Sequence, residues 1–173
     1  MVMDKKYIAY GLVLLNTIIQ LASCFWYSDL PGFVWTLADS IVILVPLVFG
    51  LRMGLLNLLP VAVSEFVWFF KLGLPGPLLH LAAFTVAVLL MATAHRRLAA
   101  MPGQKRAVLS GILYIAGLAG EELLYHGLRL LVLQKPVNWD AFYGAVFSPV
   151  VLMVLLLVVF VNRPDRRKEN YEA

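Results

Sequence analysis

Six long apolar runs, each closed off by turn-forming or charged residues, constrain this chain more than any other feature of it. They extend roughly over 7–27, 33–51, 53–70, 78–93, 107–133 and 141–161. A helix rising about 1.5 Å per residue needs about 20 residues to cross roughly 30 Å of hydrocarbon. Runs of about 16–27 residues therefore match membrane-spanning helices. None of them alternates apolar and polar residues, so a β-barrel is not indicated. The punctuation is chemically specific: Ser28-Asp29-Leu30-Pro31-Gly32 ends the first run, Leu74 to Pro77 precedes the fourth, and Pro102-Gly103 precedes the fifth.

Composition agrees. The 173 residues suffice for one domain, and 62% of them are hydrophobic, against roughly 45–50% in soluble domains. A water-soluble fold of this size has no interior large enough for that content, whereas lipid permits an apolar surface. A net charge of +4 could suggest nucleic acid, but the basic residues fall in clusters between apolar runs, where membrane topology accounts for them. The single cysteine, Cys24, lies within an apolar run and forms no intrachain disulfide. The first run follows Lys5 and Lys6 like a signal peptide, but it continues for about 20 residues and reads as a retained first helix.

Orientation follows from Lys and Arg. Under a six-helix reading, Lys5, Lys6, Arg52, Arg96, Arg97, Lys105, Arg106, Arg163, Arg166, Arg167 and Lys168 fall on one side, which is eleven of fourteen. That side is expected to be cytoplasmic. Trp26, Tyr27, Phe33 and Trp35 flank the first turn on the other side, and Trp139 and Tyr143 the last loop, as interfacial aromatics do. The expected fold is an all-α integral membrane protein, a compact bundle of about six transmembrane helices with both termini inside. Residues 1–164 form its one domain and 165–173 a polar cytoplasmic tail. The expected location is the bacterial cytoplasmic membrane.

An ionisable group at membrane depth costs about 2.5–3.5 kcal/mol on insertion scales and is a functional candidate by default. Asp39, Glu65, Glu121, Glu122, His126 and Arg129 meet that description. Glu122, His126 and Arg129 recur at i, i+4 and i+7 and share one helical face, with Glu121 pointing elsewhere. The stripe can neutralise itself as a structural element, or it can contact a partner or ligand. Two ligands on one helix fall short of the three or four a metal needs, and His80 alone offers a further imidazole, so no metal or other cofactor is expected. Asn16 and Gln20 on the first run suit interhelical hydrogen bonds. Gly50 to Gly54 suits a tight hairpin, and Pro46 and Pro60 suit helix kinks. No phosphate loop, nucleophile elbow or paired-cysteine motif is present. No catalytic residue is expected.

Three resemblances follow from these residues. The layout resembles the rod-shape-determining protein family MreD. The features are Ile19-Gln20-Leu21 near the end of the first helix, Leu30-Pro31 and Asp39 at the second, and the Gly-x-Arg-x-Gly hairpin of Gly50 to Gly54. Glu65 then Leu72-Gly73 close the third, Glu122, Tyr125 and Gly127 mark the fifth, and Pro149 lies in the sixth. The family usually has Asp where this chain has Glu65. The resemblance implies a non-enzymatic scaffold of the peptidoglycan elongation machinery that pairs with an MreC-type protein. Residues 38–54 also resemble the second and third helices of the S-components of energy-coupling factor (ECF) vitamin transporters. That implies a vitamin-like ligand and an ATP-driven energising module, although the Ala-x-x-x-Ala docking face is missing from the first helix. Under either resemblance the contact residues are Glu122, His126, Arg129, Asp39, Glu65, Trp35 and Trp139. Glu121-Glu122-Leu123-Leu124-Tyr125-His126 is similar to the Glu-Glu-x-x-x-Arg motif of the CPBP intramembrane proteases, with His126 at the arginine position and no histidine in the helix that follows.

Overall fold

Within a bilayer every backbone N–H and C=O must be satisfied inside the chain, and an apolar run of spanning length therefore becomes a helix. The computed structural model describes residues 5–26 and 30–162. The helices are α1 (Lys5–Trp26), α2 (Gly32–Phe49), α3 (Leu51–Leu72), α4 (Gly76–Ala99), α5 (Gly103–Leu133), α6 (Trp139–Val146) and α7 (Pro149–Val161). There is no strand among the described residues. Helices α1 to α5 and the combined α6–α7 segment make six lengths long and apolar enough to cross a membrane. Tyr27 to Asp29 of the first turn, Arg163, Arg166, Arg167 and Lys168, the tail from Asp165 and the boundary at 164 lie outside the described residues.

Helix α2 is the axis of the bundle. It packs against α1, α3, α4, α5 and α7, and Ala38, Ile41, Val42, Ile43 and Val45 are wholly buried on it. Elsewhere large apolar side chains face outward, among them Leu14 and Ile18 on α1 and Leu152 and Leu156 on α7. That is the surface a lipid-solvated protein needs.

The α2–α3 connection is the expected hairpin, and it is shorter than expected. Gly50 alone joins the helices, at φ 83°, a conformation that favours glycine. Its N–H donates to the carbonyl of Pro46. Gly54 lets α3 lie directly on α2: a Cβ there would fall 2.6 Å from the Cβ of Pro46. Helices α2 and α3 run on past Pro46 and Pro60 respectively.

Asn16 and Gln20 do what their position on α1 implied. Asn16 Nδ2 donates to Asn57 Oδ1 at 3.0 Å, Asn57 Nδ2 donates to the Ile41 carbonyl at 3.3 Å, and Ser64 Oγ donates to Gln20 Oε1 at 2.6 Å. This buried polar seam ties α1, α2 and α3 together. Each such bond is worth about 0.6–2 kcal/mol in a membrane.

Two boundaries differ most from the sequence reading, and α5 also begins earlier, at Gly103 instead of near Ala107. The fourth helix does not stop before His95-Arg96-Arg97 but continues to Ala99. His95 has a packing role there: its ring lies on Gly50, and its Nδ1 is 3.0 Å from the Leu47 carbonyl. The sixth run is two helices instead of one. Phe147 and Ser148 interrupt it, Ser148 Oγ accepts from the Val150 N–H as an N-cap, and Pro149 opens α7. Helix α7 packs on α5 and α2, while α6 rests chiefly on α5.

Candidate functional site

The antiparallel hairpins decide which ionisable groups meet. Gly73, at φ 62°, caps α3 and lies about midway between Glu65 and His80. The α4–α5 turn near Met101 lies midway between His80 and Glu121. Folding both hairpins brings Glu65, His80 and Glu121 to one level, in the half of the bundle that carries the α3–α4 turn and the α5–α6 loop.

There His80 sits between two carboxylates. Its Nδ1 is 2.7 Å from Glu65 Oε1, and its Nε2 is 3.7 Å from Glu121 Oε1. The ring is held by Phe84 and Tyr125, with centroids at 4.4 and 4.7 Å. Glu121 is 2% exposed, and neither of its carboxylate oxygens has a hydrogen-bond partner. Asp39, half-buried on α2, is in electrostatic reach of His80, Glu65 and Glu122. Two carboxylates, from α3 and α5, thus flank one imidazole from α4, and Asp39 of α2 and Glu122 of α5 lie within its electrostatic reach.

The stripe on α5 is only partly the self-neutralising set that its spacing suggested. His126 Nε2 is 3.7 Å from Glu122 Oε2, but Arg129 lies over the Tyr125 ring, 5.4 Å from its centroid, instead of joining them. Tyr125 therefore carries both a cation–π contact with Arg129 and a ring contact with His80. His126 is buried, with no hydrogen-bond partner for either ring nitrogen. Lys71, at the end of α3, donates to the Cys24 carbonyl of α1 and sits over Trp68, 4.9 Å from the ring centroid.

The remaining candidates are two tryptophans, Trp35 and Trp139. Trp35 is half-buried in the first turn of α2. Trp139 opens α6, where Trp139, Phe142, Tyr143 and Phe147 make edge and tilted ring contacts with centroids 5.6–6.4 Å apart. Trp139, Tyr143 and Phe147 of that set are more than half exposed.

His80 was considered in the sequence only as a spare imidazole, and it proves to be the centre of the site. Among the described residues no group of three or more His, Cys, Asp or Glu side chains is arranged to hold a metal ion. A cavity of about 120 Å³ reaches Glu121 between α4 and α5. A larger hollow of about 610 Å³ is an open furrow along α7, lined by Leu156, Leu157, Val159 and Phe160.

Fold and site together define a multi-pass helical membrane protein with a carboxylate–histidine cluster inside the bundle. No family model, curated protein or solved structure matches the chain.

Proposed function

We propose that this protein is an MreD-like membrane scaffold of the cell-shape and peptidoglycan elongation machinery, acting through contacts with an MreC-type partner and not through catalysis. The observation that carries this reading is α6. A half-length helix resting chiefly on α5 displays Trp139, Tyr143 and Phe147 at the loop end of the bundle. Exposed aromatic clusters of this kind are the anchors protein interfaces favour. A photo-crosslinking residue at Trp139 should therefore give a discrete protein adduct in the native membrane, and one at Leu152 on α7 should give lipid adducts only. Equal protein adducts from both positions, or none from Trp139, would count against a docking role for α6.

In this reading the basic ends face the cytoplasm of a bacterial inner membrane. Topology reporters inserted at Pro102 and at Val137 should then report the cytoplasmic and the outer side respectively. A report of the same side from both would dismantle the six-span topology.

A second reading, the S-component of an ECF vitamin transporter, draws support from the carboxylate–histidine cluster, because buried charge at membrane depth marks ligand pathways. Cavity size weighs against it. A small-molecule pocket takes roughly 300 Å³ or more. The hollow at Glu121 is about 120 Å³, and the larger one is apolar and open along its length.

A further inference from the structure

The three groups of the Glu65–His80–Glu121 row differ in how far they reach the surface of the bundle. His80 lies in the second turn of α4, about 6 Å along the axis from its start at Gly76. The His80 and Glu65 side chains keep part of their surface, whereas that of Glu121 has none. The row therefore runs from groups open near the α3–α4 turn to one that is sealed. Beyond Glu121 the interior closes. Gly117, one turn nearer the α4–α5 turn, is already packed: a Cβ on it would fall 2.9 Å from Met91 Sδ and 3.0 Å from Ile43 Cγ2. Ile43, Leu44, Leu47, Met91 and Leu118 belong to the apolar core there. The Tyr114 hydroxyl, farther along α5, is buried and makes no hydrogen bond to Glu121.

An imidazole has two nitrogens, and each can hold or release a proton. In His80 each faces a carboxylate from a different helix. Nδ1 is 2.7 Å from Glu65 Oε1, within reach for direct proton transfer. Nε2 is 3.7 Å from Glu121 Oε1, which is longer than a hydrogen bond. No hydrogen bond holds the Glu121 carboxylate elsewhere, however, and the hollow of about 120 Å³ beside it gives it room to turn toward the ring. Taking up a proton also removes the cost of an unpartnered buried anion. Asp39, Glu122 and His126 are the other titratable groups in electrostatic reach of His80. None of them pairs with its ring nitrogens, and Arg129 faces Tyr125 instead.

We infer that Glu65, His80 and Glu121 form a proton relay that opens only toward the α3–α4 turn and ends at Glu121. A proton on Glu65 passes to Nδ1 while the ring still holds one on Nε2, which gives an imidazolium between two carboxylates. The Nε2–H bond then breaks as an O–H bond forms on Glu121, and the ring is left neutral with its proton on Nδ1. Release runs the same steps backward. The proton is stored inside the bundle and not conducted across it. The relay goes beyond the scaffold reading and does not depend on it, since no residue of α6 takes part.

Time-resolved infrared spectroscopy of the full-length protein in detergent, after a rapid step from alkaline to acidic buffer, reads the carboxylic C=O stretch of Glu121. The band is assigned by its loss in Glu121→Gln. It should grow in the wild type, and about a hundredfold more slowly in Glu65→Gln, the factor that a positioned proton-transfer group commonly supplies. Glu65→Asp keeps the acid but withdraws it from Nδ1. It should slow the band as well, and it decides alone if Glu65→Gln does not accumulate. A Glu121 band that does not change on acidification, or that grows as fast in the Glu65 variant as in the wild type, would overturn the relay. Proton flux driven by a potassium gradient and valinomycin should be the same in liposomes with and without the protein. Flux that rises with protein content would overturn the closed end at Glu121.

Discussion

His80→Ala should lower the stability of the purified protein by about 3 kcal/mol or more, the lower end of the range for removing one partner of a buried ion pair. The lower end applies because the site is not sealed: the His80 and Glu65 side chains keep 23% and 14% of their surface. The loss has two sources. Glu65 forfeits its 2.7 Å contact with Nδ1, and Glu121, with no exposed side-chain surface, loses the imidazole nitrogen 3.7 Å away. Repulsion between the Glu65 and Glu121 carboxylates then loses the imidazole that lay between them. Adding Glu65→Gln to His80→Ala should recover part of the loss by removing one of the stranded charges. Thermal unfolding in detergent measures both variants. An unchanged midpoint for His80→Ala would mean that the cluster does not hold α3, α4 and α5 together.

Gly54→Ala is the second substitution expected to matter strongly, at about 1–3 kcal/mol of destabilisation. The added methyl would lie 2.6 Å from the Pro46 Cβ, 3.3 Å from its Cα and 3.2 Å from Val88 Cγ1. A proline ring has no rotamer by which to swing clear, so α2 and α3 must separate next to the one-residue Gly50 turn. Gly120→Ala is the control. It adds the same methyl where nothing lies within 4 Å, and in a helix alanine is favoured over glycine by up to about 1 kcal/mol. The two variants should therefore move the unfolding midpoint in opposite directions, or Gly120→Ala should leave it unmoved. Equal midpoints for the pair would show that the α2–α3 contact is not tight.

The six spans were legible because each boundary carries a chemical mark: Pro31-Gly32, Gly50, Gly73, Pro102-Gly103 and Gln134-Lys135-Pro136. The α1–α3 seam was legible too, since Asn16 and Gln20 lie one turn apart in an otherwise apolar run. The break in the sixth span was not read. Its hydropathy is the highest of the six, and a continuous apolar run conceals a local cap. The Ser148-Pro149 pair was the available signal, an N-cap residue followed by a favoured first helical position. The end of α4 was misplaced for the opposite reason. The basic cluster at His95 to Arg97 looked like a loop, yet basic residues are at home in the last turn of a helix.

Within the site, helical spacing exposed the Glu122–His126 contact but could not place Arg129, which had an aromatic ring as an alternative partner. The Glu65–His80–Glu121 arrangement depends on register between three helices, which no single-helix pattern contains. The symmetry of Glu65 and His80 about Gly73, and of His80 and Glu121 about the turn near Met101, was nonetheless in the numbering. It becomes readable once the turns are taken as hairpin centres.

The scaffold reading is tested most directly by native mass spectrometry of the protein released from its own membrane into the mildest detergent that keeps it folded. The expected result is a complex with a second membrane or membrane-anchored protein of the MreC type, in fixed stoichiometry, which Trp139→Ala combined with Tyr143→Ala dissociates while the monomer keeps its thermal midpoint. A protein that carries no such partner and instead retains a stoichiometric vitamin-like molecule would contradict it, and would make the S-component the correct description.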